Sequence, residues 1–566
     1  MMDTKKLHKG TTKIIIVIAS FFVILYIASK VHYRFDLTSE KRYTLSETTK
    51  KVLENVKDTI HFKVYLDGDL PISFYRLRSE IKDQLEEFTE IAGNHISLEF
   101  VNPSNDDDQS LTQKTYEFLA SNGLTPYTIQ EKDDKGKQIS RVVFPGALVT
   151  SRNKTVSISF LKTSALANSD QNINNAIQAI EYELVNAIRK LSVTQKSKVA
   201  FLSGHGELDR NQTASIAHAL DEYYTVERVT IDSSITVLQK YKSLIIAKPM
   251  KAFSEIDKLA IDQYIMKGGH VVWLLDLVNV PEDSLAYERM VLGLANQLNL
   301  DDQLFRYGVR INYNVILDNQ CAVIPLNVAA QGAQPQWNPS PWFFHPLISP
   351  PSTSPITKNL NVIKVECASV IDTVGESKNH KATVLLRTSD YSKVLATPVP
   401  VSFDLLSQTP NQYFFDKYNL PIGVLLEGTF ESIYKNRMLP KLRENVTIVN
   451  QSKQTSMIVI SDGDITRNEV RKLAYDTIPM NLGYDRYTKE TYGNKDFMLN
   501  AINYLCDDAG LLNIRSRELK IRLLNKTRIA DERTMWQVIN ILGPIVMLIV
   551  FGIVLSYVRK RKNNKN

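Results

Sequence analysis

The chain has 566 residues, 43% of them hydrophobic and 23% charged, which is too long for one hydrophobic core and excludes both wholesale disorder and a polytopic membrane protein. Its net charge of +7 sits at the ends. Residues 1–13 and 559–566 hold nine of the 68 Lys and Arg and one of the 61 Asp and Glu, leaving 59 positive against 60 negative charges between them, so the middle has no electrostatic basis for binding nucleic acid.

Residues 1–13 read as a cytoplasmic tail and 14–33 as a transmembrane helix. Ile14 to Ser29 is uncharged, and the bracketing Lys13 and Lys30 have stems long enough to snorkel. Ala28-Ser29-Lys30 lacks the small-residue pattern of a cleavage site, which favours an uncleaved anchor over a signal peptide. At the other end, 534–558 contains no charge and is long enough to cross with tilt despite Pro544; 559–566 is a second basic tail. Basic residues outside both spans place both termini in the cytoplasm, which predicts a chain held at the cell inner membrane with its bulk in the periplasm.

Residues 34–59 form a juxtamembrane segment in which Thr44 and Glu47 match a capping box. From 60 to 192 the apolar patterning alternates in the order βαβαββα, which is thioredoxin-like. No cysteine precedes Cys321, so this domain lacks C-x-x-C redox chemistry and is expected to bind or support. The three cysteines, Cys321, Cys367 and Cys506, match no zinc spacing and leave a disulfide open.

Residues 193–515 read as a second α/β domain. VAFLSG, TVERVTI, SLIIAKP and HVVWLLD, separated by helical stretches, are the continuous apolar runs of a parallel sheet buried on both faces. VLLEG and SMIVISDGD are expected in the same sheet, with about 301–420 as an insertion. Inside it, 334–357 holds seven prolines and the aromatics Trp337, Trp342, Phe343 and Phe344, which predicts an ordered loop without regular helix or central strand, its aromatics packed on the domain or on a partner protein. Residues 516–533 complete the chain as a linker to the second span.

Two turns carry candidate chemistry. Gly204-His205-Gly206-Glu207 follows a strand and precedes a helix, where open α/β sheets bind ligands; His205 and Glu207 are a possible base or ligand pair, but the same residue types serve a tight turn. Asp462, Asp464 and Asn468 follow another strand and with Glu469 are a candidate cation site, although they miss the EF-hand spacing and suit a turn equally. No nucleophile elbow and no phosphate-binding glycine motif occurs, so ATP must be handled by another subunit if the chain serves an ATP-driven system. The residues predict no catalytic centre, metal or cofactor.

Several segments together resemble the periplasmic auxiliary, or substrate-binding, component of the gliding-motility-associated ABC transporter, the GldG family. They are DLTSEKRYTLSETT at 36–49, FLSGHGE at 201–207, SPITKNL at 354–360, VLLRTSDYS at 384–392, GVLLEGTFESIY at 423–434, VISDGDITRNEV at 459–470 and the 493–524 tail. The resemblance implies an ABC permease and a separate cytoplasmic ATPase as partners, with a role in gliding motility or cell-envelope transport. The second domain also looks like the glutamine-amidotransferase-like fold, without its nucleophilic cysteine. The leading expectation is a non-catalytic, membrane-anchored auxiliary subunit; the rivals are a periplasmic hydrolase using His205, Glu207 and Asp464, and a solute receptor.

Overall fold

The computed structural model describes residues 20–21, 44–104, 109–132, 138–162, 168–193, 195–232, 234–327, 329, 334–375, 379–406, 412–440, 447–472, 477–507, 510–516 and 526–563. The expected N-terminal span at 14–33 lies outside them except for residues 20 and 21. The chain divides into two units, Tyr43–Glu518 and a smaller one made of both ends. In the smaller unit a helix runs over Lys526–Asn563 with Pro544 inside it, and its Asp531–Val558 stretch is, among the described residues, the one helix long and apolar enough to cross a membrane.

The larger unit is a mixed α/β structure. It opens with α1 (Glu47–Glu54), whose N-cap is Ser46 rather than Thr44: the Ser46 hydroxyl accepts from Thr49 N at 3.1 Å. Glu47 therefore stands in the first turn, paired with Lys50 at 2.8 Å. Next come β1 (Ile60–Val64), α2 (Ile72–Ala92), β2 (Ile96–Phe100), α3 (Gln109–Ser121), β3 (Tyr127–Lys132), β4 (Gln138–Val143), β5 (Gly146–Ser151), β6 (Lys154–Ser159) and α4 (Ser169–Ser192).

The sheet order is β2-β1-β5-β6, with β1 parallel to β2 and antiparallel to β5. Helix α2 buries Phe74, Leu77, Ile81, Leu85 and Phe88, a 3–4 spaced stripe packed against α4. Asn168 and Gln171 close a capping box at the start of α4. The β3–β4 hairpin is an addition to the expected element order; its polar strands give little periodic signal.

The central sheet follows. Strands β7 (Lys198–Leu202), β8 (Thr225–Val229), β9 (Ser243–Ala247) and β10 (His270–Leu274) are joined through helices α5 (Ala214–Asp221) and α6 (Glu255–Met266). After an excursion containing β11 (Cys321–Asn327), β12 (Trp337–Ile348) and β13 (Ile363–Lys364), the chain returns with β14 (His380–Arg387), β15 (Pro421–Gly428) and β16 (Thr455–Ile460), and then α7 (Asn494–Cys506). The order is β14-β15-β16-β10-β9-β7-β8, parallel from β8 to β16 and antiparallel at β15 and β14.

Alternate residues face opposite layers. Val199, Phe201, Ile245, Val272 and Ile458 join a core with Phe497, Ala501 and Ile502 of α7, while Ala200, Leu244, Ile246, Trp273 and Val459 join another with Ile261 and Ile265 of α6. Coverage on both faces explains why these strands are unbroken apolar runs.

The proline-rich segment corrects the sequence expectation, because Trp337–Ile348 is a strand, antiparallel to β11. Pro325 opposes Pro339 and Val323 opposes Pro341. Pro339 and Pro341 are two residues apart, so both nitrogens face one edge, and β13 pairs only with Leu347 and Ile348. The missing N–H groups thus cost no ladder bond on the side away from β11. No disulfide joins Cys321, Cys367 and Cys506.

Candidate functional site

Beyond β7, Gly204 (φ 129°) and Gly206 (φ 80°) take left-handed backbone, and a Cβ on Gly206 would come within 3.2 Å of Met250 Cβ. The His205 carbonyl accepts from Met250 N and Lys251 N at 2.8 Å each, tying this turn to the one after β9. Its ring stacks on Phe253, with centroids 3.9 Å apart. Nδ1 meets Glu207 Oε1 at 3.1 Å and Nε2 meets Asp257 Oδ2 at 3.2 Å.

Burial opposes charge on this ring, but the hydrogen bonds to Asp257 and Glu207 outweigh it and lift the His205 pKa to about 9. The same contacts overcome the effect of burial on Glu207 and Asp257 and hold both carboxyls below their ordinary values. Both ring nitrogens of the cation are donors already used, so the turn is a clamp and has no lone pair with which to take a proton.

Asp462, Asp464 and Asn468 do not converge on one cation. Asp462 accepts from Glu366 N at 3.0 Å and Asp464 N at 2.8 Å. Asn468 accepts from Ser215 N at 3.1 Å and donates to the Asn211 carbonyl at 2.9 Å, anchoring the start of α5. Glu469 pairs with Arg486 at 3.4 Å. Asp464 turns to Lys248 and to Arg467 Nε at 3.0 Å.

From Asp464 an ion-pair network spreads over the carboxyl ends of the parallel strands. Lys248 after β9 also meets Asp276 after β10 at 3.1 Å. Arg467 reaches Glu366 at 2.8 Å, and Lys364 joins Glu366 at 3.1 Å to Asp485 at 3.7 Å. Burial and the Asp276 charge push the Asp464 carboxyl up to about 6 against the pull of Lys248 and Arg467, and burial beside Asp276, Asp464 and Glu366 raises Asp462 further. Gly463 lets these turns meet, since a Cβ there would lie 2.7 Å from Lys248 Cβ. Gly463→Ala is accordingly expected to destabilise the fold by about 1–3 kcal/mol through overpacking, read as a lower denaturation midpoint.

Part of the network opens on a cleft of about 610 Å³, whose lining includes Lys248, Asp464 and Arg467 together with Glu282, His345 and Glu366. His345 Nε2 lies 2.8 Å from Glu282 Oε2, and Trp342 Nε1 donates to Glu282 Oε1 at 2.9 Å. Asp464 faces this cleft, whereas the hydrogen bonds of His205 go to Glu207 and Asp257. Of the three groups of the hydrolase expectation, His205 and Glu207 are therefore bonded to each other, while Asp464 is held by Lys248 and Arg467 and joins neither.

Of the aromatics expected to pack on the domain or on a partner, Trp342, Phe343 and Phe344 are buried in this unit's own core, which rules them out as partner contacts, with Trp342 against Phe403 at 5.3 Å and Phe343 against Phe415 at 5.4 Å. Trp337 is 64% exposed and remains available. Alternation explains the difference poorly, because three consecutive residues are buried; β12 is largely exposed before Trp342 and buried or half-buried from there onward.

Residues 196–501, more than half of the chain, match the family model of the auxiliary component of an ABC-type uncharacterized transport system. The chain belongs to this family. As an auxiliary transport-system protein it also matches a domain of unknown function over residues 39–150. A relative from Borreliella burgdorferi, an uncharacterized protein, is 20% identical over 556 residues, covering 96% of each chain. The solved mmIFT52 N-terminal domain matches with a TM-score of 0.30 and 13% identity, covering 55% of this chain and 98% of that one, a score too low to relate the folds.

Proposed function

We propose that this chain is a non-catalytic, membrane-anchored auxiliary subunit that extends an ABC-type transporter outside the cytoplasm and works with a separate permease and ATPase. The observation that carries the reading is the family match over residues 196–501. The apolar Asp531–Val558 helix supplies a means of packing beside a permease. The His205 clamp supports a structural role for the motif with the best claim to chemistry. The thioredoxin-like and glutamine-amidotransferase-like assignments serve here as scaffolds without those families' chemistry. Gliding motility or cell-envelope transport is the process that the sequence resemblance favours, with both termini cytoplasmic and the bulk periplasmic.

Detergent extracts of the native host are expected to yield the chain together with a permease and an ATPase on affinity purification; a chain recovered alone at every detergent tested would overturn the assignment. Protease added to spheroplasts is expected to digest the Tyr43–Glu518 unit, and protection of that unit would reverse the topology. A solute-receptor role is the second reading, favoured by the polar cleft of about 610 Å³ at the ends of the parallel strands.

A further inference from the structure

We propose that Glu282, His345 and Glu366 form a binding site for a divalent transition metal of the zinc class. The three residues arrive from separate segments: Glu282 from a turn beyond β10, His345 from β12, and Glu366 from just past β13. Each offers one ligand atom, and these atoms lie within 4.8 Å of one another. Tetrahedral zinc with bonds of roughly 2.0–2.2 Å holds its ligand atoms about 3.4 Å apart, so the widest separation here has to close by up to about 1.4 Å and the 2.8 Å Glu282–His345 contact has to open slightly, both by side-chain rotation. An imidazole nitrogen with two carboxylate oxygens is a donor set suited to zinc and its neighbours and poorly suited to calcium.

The surroundings are those of a built site. Trp342 holds one oxygen of Glu282, which turns the other toward His345. Such outer contacts orient metal ligands and raise affinity. All three residues are partly exposed on the cleft, which gives an ion a path of entry and leaves a coordination position open to solvent or solute.

Charge points the same way. The network holds Asp276, Asp464, Glu366 and Asp485 on three fixed cations, Lys248, Lys364 and Arg467, and Glu282, paired with His345, adds a fifth carboxyl. An ion that displaces the proton between His345 and Glu282 leaves five carboxyls facing three cations, and a dication makes up the difference. Lys364 and Arg467 beside Glu366 compete for that carboxylate, so the affinity is expected to be micromolar rather than that of a closed four-ligand site.

The test is a Zn²⁺ titration of the chelator-treated full-length chain in detergent, with bound metal measured by mass spectrometry and heat by calorimetry. One equivalent of Zn²⁺ is expected in the wild type, weakened about ten-fold by Trp342→Phe and abolished by Glu282→Gln and by His345→Ala. Because His345→Ala removes a packed ring, its melting curve is taken alongside; if it unfolds, the near-isosteric Glu282→Gln decides. Failure of the wild type to bind Zn²⁺, or binding that Glu282→Gln leaves unchanged, overturns the site. Neither result touches the transporter reading, which rests on the family match.

Discussion

His205→Ala is expected to destabilise the larger unit by about 3 kcal/mol at pH 6, and by progressively less as the pH rises through 9. The folded-state pKa of about 9 lies above the ordinary histidine value of 6.5. The contribution is therefore complete below pH 6.5 and is lost as the ring deprotonates in the folded protein. The group is almost fully enclosed, at 7% exposure, so solvent weakens the two ion pairs little. Truncating the ring also leaves the Glu207 and Asp257 carboxylates facing each other without the cation between them. Chemical denaturation of wild type and variant at pH 6 and at pH 10 reads the effect. An equal stability gap at the two pH values would show that the ring is neutral in the fold and that the clamp does not exist.

The second large effect is expected at Asp262, a fully enclosed carboxyl on α6. Oδ1 accepts from Tyr307 Oη at 2.9 Å and Ile433 N at 3.1 Å; Oδ2 accepts from Ser432 Oγ at 2.7 Å and Gln263 Nε2 at 3.0 Å. These contacts fasten the segment after β15 to the helix layer. Burial pushes the carboxyl above its ordinary pKa in spite of four donors. Asp262→Ala orphans the Tyr307 and Ser432 hydroxyls and the Ile433 N–H in a dry core, for a loss of about 3–5 kcal/mol. Asp262→Asn keeps one acceptor oxygen and avoids the cost of an enclosed charge, so it is expected to lose about half as much. Denaturation midpoints of the two variants make the comparison, and an alanine variant as stable as the asparagine one would contradict the role given to these hydrogen bonds.

Much of the architecture was legible because its cause is local. Strands covered on both faces must be apolar throughout, so SLIIA and HVVWL announce themselves, and 534–558 is readable as a span because it carries no charge. The α2 stripe is visible for the same reason, since its spacing is set by the helix it forms. The β3–β4 hairpin was not, because strands such as YTIQEK and QISRVV bury too little to leave a clear alternation. The strand at Trp337–Ile348 was hidden by its prolines, whose tolerance depends on which edge their nitrogens face, a property of the pairing and not of the residues.

The site divides along the same line. That glycines mark the turn after β7 and acidic residues the turn after β16 is readable from residue types alone, since tight turns at strand ends favour them. What those residues do depends on partners that folding brings from elsewhere in the chain. Asp257, 52 residues from His205, turns a candidate base into a fixed cation. Glu282, His345 and Glu366 carry no spacing signal, because the three come together only when the excursion between β10 and β14 folds back over the ends of the parallel strands. Local periodicity records which face of an element is buried; it holds no record of which charges share a cleft, since that depends on contacts between distant segments and on the low dielectric they create together.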